Sequence, residues 1–313
     1  MAVHLAPPVA PPLLAGRMGG RGQSGAPESD GAKGRIPAIV GLCCLLCRGM
    51  EMVLHDRLPF APWADPRTRR LPGIVPVDPG DWLRVDEAFA GQMALRAMLM
   101  ADRPALVHAL DPGAMPAALE LLDRVLVDLP GLGYQVGAQQ VLRPDGVGVA
   151  LNRAAPLLTL GHLCQNDFCL LERRGEEHVL TGAILCFPAS WTLAEKFLRP
   201  LIGIHGNVPV YDGSVAPRVQ RLFDAIRPEQ PLWRANALHY EDADLYHPRS
   251  EAEPRRKPQG LGGFIRSERQ CLVKLAVSQA VVFSIHTYLI RDAALTPEQA
   301  AALMEHPIHR AGG

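Results

Sequence analysis

The spacing of apolar and polar positions divides the chain into a helical first half and a strand-rich second half. DEAFAGQMALRAMLMAD, residues 86 to 102, places apolar residues at helical spacing, and Asp86 stands where an N-cap is expected. PAALELLDRVLVDL, 116 to 129, repeats that spacing behind a proline at its first turn, where a missing N–H is harmless. Between residues 53 and 82, prolines recur in LPFAPWADP and LPGIVPVDPGDW, which predicts an extended segment wrapped over the surface. After residue 150 the period changes. DFCLLER (167–173) and HVLTGAILCFPA (178–189) read as strands joined by a hairpin-like turn at RGEE. The second is nearly continuous in apolar residues, so burial on both faces is expected. WTLAEKFLRP reads as a short helix capped by Ser190 or Thr192 and stopped by Pro200. A further helix is expected in VAPRVQRLFDAIRP (215–228), and strands in PLWRANALHY and CLVKLAVSQAVVFSIHTYLIR. IRSERQCLVKL is read as opening in a turn, and TPEQAAALMEHP (296–307) as a closing helix capped by Thr296. Helices followed by paired strands predict an α+β class, an antiparallel sheet with helices around it.

The first fifty residues differ from the rest. Residues 6 to 34 are rich in Pro, Gly, Ala and Ser and bury too little to offset the entropy of ordering. The apolar run IPAIVGLCCLLC, 36 to 47, is short of the roughly 20 residues that span a bilayer. Residues 1–50 are therefore read as a disordered or non-native extension. The expected organisation is a wrapping segment with helices over 51–130, a sheet domain over 131–295, and a closing helix and tail over 296–313.

Composition removes several functions. Lys plus Arg equals Asp plus Glu, 32 against 32, so no charge excess points to nucleic acid or an anionic membrane surface. The seven cysteines are odd in number and show no zinc spacing; Cys44 and Cys47 form a CxxC without a second pair. They read as reduced thiols of a cytoplasmic protein. No G-x-G-x-x-G follows a strand, no C-x-x-C-H is present for covalent haem, and the cysteine run of plant-type ferredoxins is missing.

One short stretch invites a chemical reading. In LIGIHGNVPVYDG, His205 is followed by Gly206, which permits close backbone approach, and by Pro209, which stiffens the exit. Taken alone, His205 is either a core imidazole bonded to a carbonyl or a nitrogen offered to a bound group.

The blocks QNDFCLL, LTGAILCFPASWTLAEKFLRPLIGIHGNVPVY, LWRAN and IRSERQCLVKL…AVVFSIHTYL occur in that order. Over roughly residues 55 to 292 this set resembles the haem-dependent oxidative N-demethylase alpha-subunit-like family. Ala237 and His286 depart from the family pattern, which expects tryptophan and arginine there. The resemblance implies a PAS-like domain holding haem b without covalent attachment, with oxygen activated at the iron. It also implies removal of a methyl group from a small secondary amine such as dimethylamine. Electrons would come from NADPH through flavin and a [2Fe–2S] centre on partner subunits, a reductase or ferredoxin-type component. His205 then becomes the expected axial ligand. Lys196, Arg234, Arg266 and Arg269 become candidate partners for the haem propionates, because a guanidinium or ammonium suits a carboxylate. Glu268 is either a salt-bridge partner of those arginines or a carboxylate that binds an ammonium or relays protons. Ser284, His286 and Tyr288 share one face of a strand by alternation and could wall a pocket; otherwise they form a half-exposed face. His178 is expected in solvent, His162 is a weaker candidate than His205, and Cys186 is expected to be an inert core thiol. The other class of function is a PAS-like haem sensor or storage protein without turnover.

Overall fold

The computed structural model describes residues 53–69, 73–205, 216–253 and 262–309. Its strands are β1 (Val75–Pro76), β2 (His108–Leu110), β3 (Gln135–Val136), β4 (Gln140–Leu142), β5 (Gly148–Ala150), β6 (Asp167–Arg174), β7 (Glu177–Ile184), β8 (Leu232–Tyr240), β9 (Phe264–Lys274) and β10 (Val281–Arg291). Seven form an antiparallel sheet in the order β1-β8-β9-β10-β6-β7-β2, and β3-β4-β5 make a small second sheet. Helices cover both faces of the large sheet, so the class is α+β. Over one face lie helices Phe89–Asp102, Met115–Asp128 and Pro156–Leu163, whose Met93, Leu121 and Leu160 pack with Phe168, Val273 and Val282. Over the other lie Leu193–Lys196, Leu201–His205 and Ala216–Ala225; their Leu193, Leu201 and Phe223 pack with Leu272, Val281 and Ile285. No helix among the described residues is long and apolar enough to cross a membrane.

The helix over 116–129, the hairpin at Arg174–Glu177 and the closing helix match their expected places within a few residues. The closing helix, Pro297–Glu305, starts with a capping box in which Thr296 and Gln299 exchange side-chain and backbone bonds.

Four expectations change. IRSERQ is strand, not turn: β9 runs unbroken from Phe264 to Lys274, because its polar side chains find partners across neighbouring strands. The strand from 178 ends at Ile184, well short of 189. The backbone N–H groups of Cys186 and Phe187 leave the ladder to donate to the Asp167 carboxylate, at 2.7 and 2.8 Å. Asp86 does not cap the helix, which begins at Phe89 behind Ala88; its carboxylate accepts from Ala88 N–H and turns inward. His178 is buried, not solvated, with Nδ1 2.8 Å from the Gln220 side-chain amide.

The helix Pro156–Leu163 has no sequence signature, since PLLTLGHL is apolar on nearly every side and buried accordingly. It approaches its neighbours at Gly161, where a Cβ would stand 2.6 Å from Met100 Sδ and 2.8 Å from Ile184 Cγ1. Cys44 and Cys47 lie outside the described residues.

Candidate functional site

Cross-strand register decides which candidates meet. Thr287 stands opposite Glu268 and His286 opposite Arg269 on β9 and β10, while Asn236 stands opposite Glu268 and Arg234 opposite Gln270 on β8 and β9. Directly opposed residues share a face and neighbours along a strand alternate. Arg234, Asn236, Arg266, Glu268 and Gln270 therefore lie on one face, and His286, Tyr288 and Arg269 on the other. Glu268, offered from sequence as a proton relay or ammonium site, and His286 and Tyr288, offered as a pocket wall, do not come together: the sheet separates the first from the other two.

The helix Leu201–His205 lies on the Glu268 face of the sheet, against β7, with Leu201 and Ile204 in the same apolar cluster as Leu232, Leu272 and Phe283. The Glu268 carboxylate is buried and accepts three hydrogen bonds. Arg266 Nη2 donates to Oε1 at 3.2 Å; Asn236 Nδ2 and Gln270 Nε2 donate to Oε2 at 3.1 and 2.9 Å. Asn236 Oδ1 also accepts from the Glu268 backbone N–H at 3.0 Å. Arg266 also donates through its two terminal nitrogens to the carbonyls of Leu245 and Phe187 and lies over the Tyr240 ring, although its Nε, like that of Arg234, has no partner. Arg234 differs. Its Nε is buried without a hydrogen-bond partner, and no described residue accepts from the rest of its guanidinium. Burial pushes its pKa below the ordinary arginine value, and the charge of Glu268 offsets this only in part. Lys196 is buried, its ammonium donating to the Ile204 carbonyl at 2.6 Å and paired with Glu251. The side chain of His205 and residues 206–215, including Gly206 and Pro209, lie outside the described residues.

The opposite face holds a cluster with no signal in the sequence beyond His286. The Asp86 carboxylate receives His286 Nε2 at 2.7 Å and His55 Nε2 at 2.9 Å on one oxygen, and Gln165 Nε2 at 2.8 Å on the other. Burial alone would raise the Asp86 pKa, but the bonds from His286 and His55 hold it well below the usual carboxylate range. His286 is fully buried, not half-exposed, and burial pushes its pKa down against the pull of Asp86. Burial also raises the Tyr288 phenol. Arg269 lies over the Trp233 ring and pairs with Asp81.

The potential ligand atoms of His55, Asp86 and His286 all lie within 4.8 Å of one another, close enough to suggest a metal. The hydrogen bonding argues otherwise. A ligating imidazole normally donates its second N–H to an acceptor. His55 Nδ1 instead faces a donor, the Leu289 backbone N–H at 3.2 Å. A neutral His55 therefore carries its proton on Nε2, the atom a metal would need. The cluster is a largely buried carboxylate that accepts hydrogen bonds from two imidazoles. Cys186 meets its expectation as a core thiol, pushed up to about 12 by burial.

Of the four candidate propionate partners, three are already occupied: Lys196 by Glu251, Arg266 by Glu268 and two carbonyls, and Arg269 by Asp81 on the far face. Arg234 alone among them makes no hydrogen bond to an anion among the described residues; it is half-buried and lies on the same sheet face as the helix that bears His205. That donor suits a carboxylate-bearing group such as haem. An open groove of about 640 Å³ lined by Met93, Arg143, Asp145 and His162 lies elsewhere, and Lys196, Arg234, Arg266 and Arg269 do not line it.

Residues 73–310 match the model of a protein family described as haem-dependent oxidative N-demethylase, alpha subunit-like. No curated protein matches the chain.

Proposed function

Because the chain belongs to the haem-dependent oxidative N-demethylase alpha-subunit-like family, we propose that it is the haem-binding oxygenase component of an enzyme that demethylates a small secondary amine. The observation that carries this reading is Arg234, half-buried, whose buried Nε has no hydrogen-bond partner among the described residues and which lies on the same sheet face as the helix Leu201–His205. In this reading Arg234 would pair with a carboxylate of haem b and His205 would hold its iron. Haem, when bound, supplies activation of molecular oxygen. The overall reaction balances as dimethylamine, oxygen, NADPH and a proton giving methylamine, formaldehyde, water and NADP⁺, with electrons passed through flavin and a [2Fe–2S] centre on partner subunits.

The chain's own residues provide the rest. Glu268, held by three donors, offers its remaining acceptor capacity to the ammonium of the amine. Arg266 fixes that carboxylate against the sheet, and the apolar side chains Leu201, Ile204, Phe283 and Ile285 limit water on the same face. His286 and Tyr288, on the other face, are assigned to holding β10 in place.

An absorption spectrum tests the reading. Protein purified from haem-supplemented cells should show a Soret band that moves with dithionite and again with carbon monoxide. His205→Ala should lose haem while keeping its circular dichroism. With a reductase, oxygen and dimethylamine, formaldehyde should appear in step with NADPH loss. Haem that binds and takes oxygen while no amine of a panel is demethylated or shifts the Soret band would replace this reading with a haem sensor or store.

A further inference from the structure

Glu268 stands between two arginines on the same sheet face. Arg266 is on its own strand two residues away, and Arg234 is its diagonal neighbour on β8. Diagonal neighbours in an antiparallel pair sit about 7–8 Å apart, within reach of long side chains. Coulomb attraction alone would allow the carboxylate to pair with either, and its charge does act on Arg234. The hydrogen bonds are one-sided. Glu268 bonds to Arg266 at 3.2 Å and makes none with Arg234. The difference lies in two neutral amides. Asn236 grips both the Glu268 backbone N–H and Oε2, and Gln270 donates to the same oxygen at 2.9 Å. Gln270 lies directly opposite Arg234, so its amide stands beside the arginine while bonding to the carboxylate.

We propose that Asn236 and Gln270 are positioning residues that latch Glu268 onto Arg266 and so keep Arg234 free for the carboxylate of a bound ligand. This rests on the reading of Arg234 as a propionate anchor. Without the latch, Glu268 swings to Arg234, and the chain becomes its own competitor for that carboxylate. A neutral amide suits the task because it orients the carboxylate without adding a charge that would itself compete for Arg234.

The test compares haem with haem dimethyl ester, which has the same macrocycle and no propionate charge. The wild-type chain should bind haem about tenfold or more tighter than the ester, as expected of one charge-assisted bond. Gln270→Leu, and the double variant Asn236→Leu/Gln270→Leu, should bring that ratio towards one while ester affinity stays unchanged. Adding Glu268→Gln to Gln270→Leu should restore the preference, a rescue that a merely structural role for Gln270 does not produce. A preserved ratio in Gln270→Leu, a failed rescue, or a wild-type ratio of one each overturns the latch. Should the double variant not fold, Gln270→Leu alone carries the comparison, since it leaves the Glu268 backbone N–H paired. If the wild type binds neither porphyrin, the haem reading fails, and a crystal structure of Gln270→Leu then judges the latch. Glu268 hydrogen-bonded to Arg234 supports it; Glu268 still on Arg266 overturns it.

Discussion

Asp86 and His286 are 200 residues apart in the chain and joined by a 2.7 Å hydrogen bond in the interior. The same carboxylate oxygen receives His55, and the other receives Gln165 and the Ala88 N–H. One largely buried anion thus ties the early wrapping segment, the start of the helix Phe89–Asp102, the lead into β6 and the middle of β10. A buried charge survives only when donors replace the water it has lost, and here four do so.

Replacing Asp86 by alanine removes the acceptor and leaves two imidazole N–H groups buried without it, while the Gln165 amide keeps only its bond to Gln92. The expected cost is about 2–4 kcal/mol. Urea unfolding should show a lower midpoint with an unchanged slope. A loss under about 0.5 kcal/mol would mean that the cluster contributes no more than a typical surface contact.

Acidification should destabilise the fold in two stages. Burial holds His286, His178 and His247 below the ordinary histidine pKa. Between about 6.5 and those lower folded values, the unfolded chain takes up protons that the native chain refuses, so stability falls as pH falls. Asp86, also depressed in the fold, adds a second loss below about pH 4, where its unfolded carboxyl protonates first. Melting temperatures at about pH 7.5, 6 and 5 should decline in that order. A flat or rising series contradicts the direction of these shifts.

Arg234 and Arg269 should separate cleanly by assay. Arg234→Leu should weaken haem binding about tenfold or more, because it removes the one guanidinium of the four candidates without an anion, while thermal stability holds or rises. Arg269→Leu should leave haem affinity intact and lower stability instead, since it loses Asp81 and the Trp233 ring. Haem titrations and melting curves on the two variants check this; equal haem affinity in both would remove Arg234 from the site.

Deleting residues 1–49 should leave the melting temperature unchanged. Deleting up to residue 72, just before the matched family region, should lower it strongly. The longer cut removes His55 from Asp86 and also Trp63, which is buried and donates from its indole to the Gln299 carbonyl at 3.0 Å. Two truncations measured side by side decide where the fold begins.

Local patterning was enough for the class of the fold and for most of its elements. The helical period of 116–129, the Arg174–Glu177 turn and the Thr296 cap are properties of neighbouring residues, and neighbours fix φ, ψ and capping. The ordered motif blocks were likewise legible, and through them the family. Alternation along FSIHTY correctly put Ser284, His286 and Tyr288 on one face, because a strand has period two whatever surrounds it. What lay across the sheet was beyond that reading. Whether Glu268 shares a pocket with His286 depends on the pairing of β9 with β10, a relation that no local period encodes. IRSERQ read as opening in a turn, and only the pairing with β8 brought Asn236 to bond both the Glu268 carboxylate and its backbone N–H. Asp86 looked like a helix cap until His55 and His286 arrived from distant segments to claim its carboxylate. Polar residues take their roles from partners, and only the folded chain chose those partners, because burying each charge demanded donors that sequence neighbours could not provide.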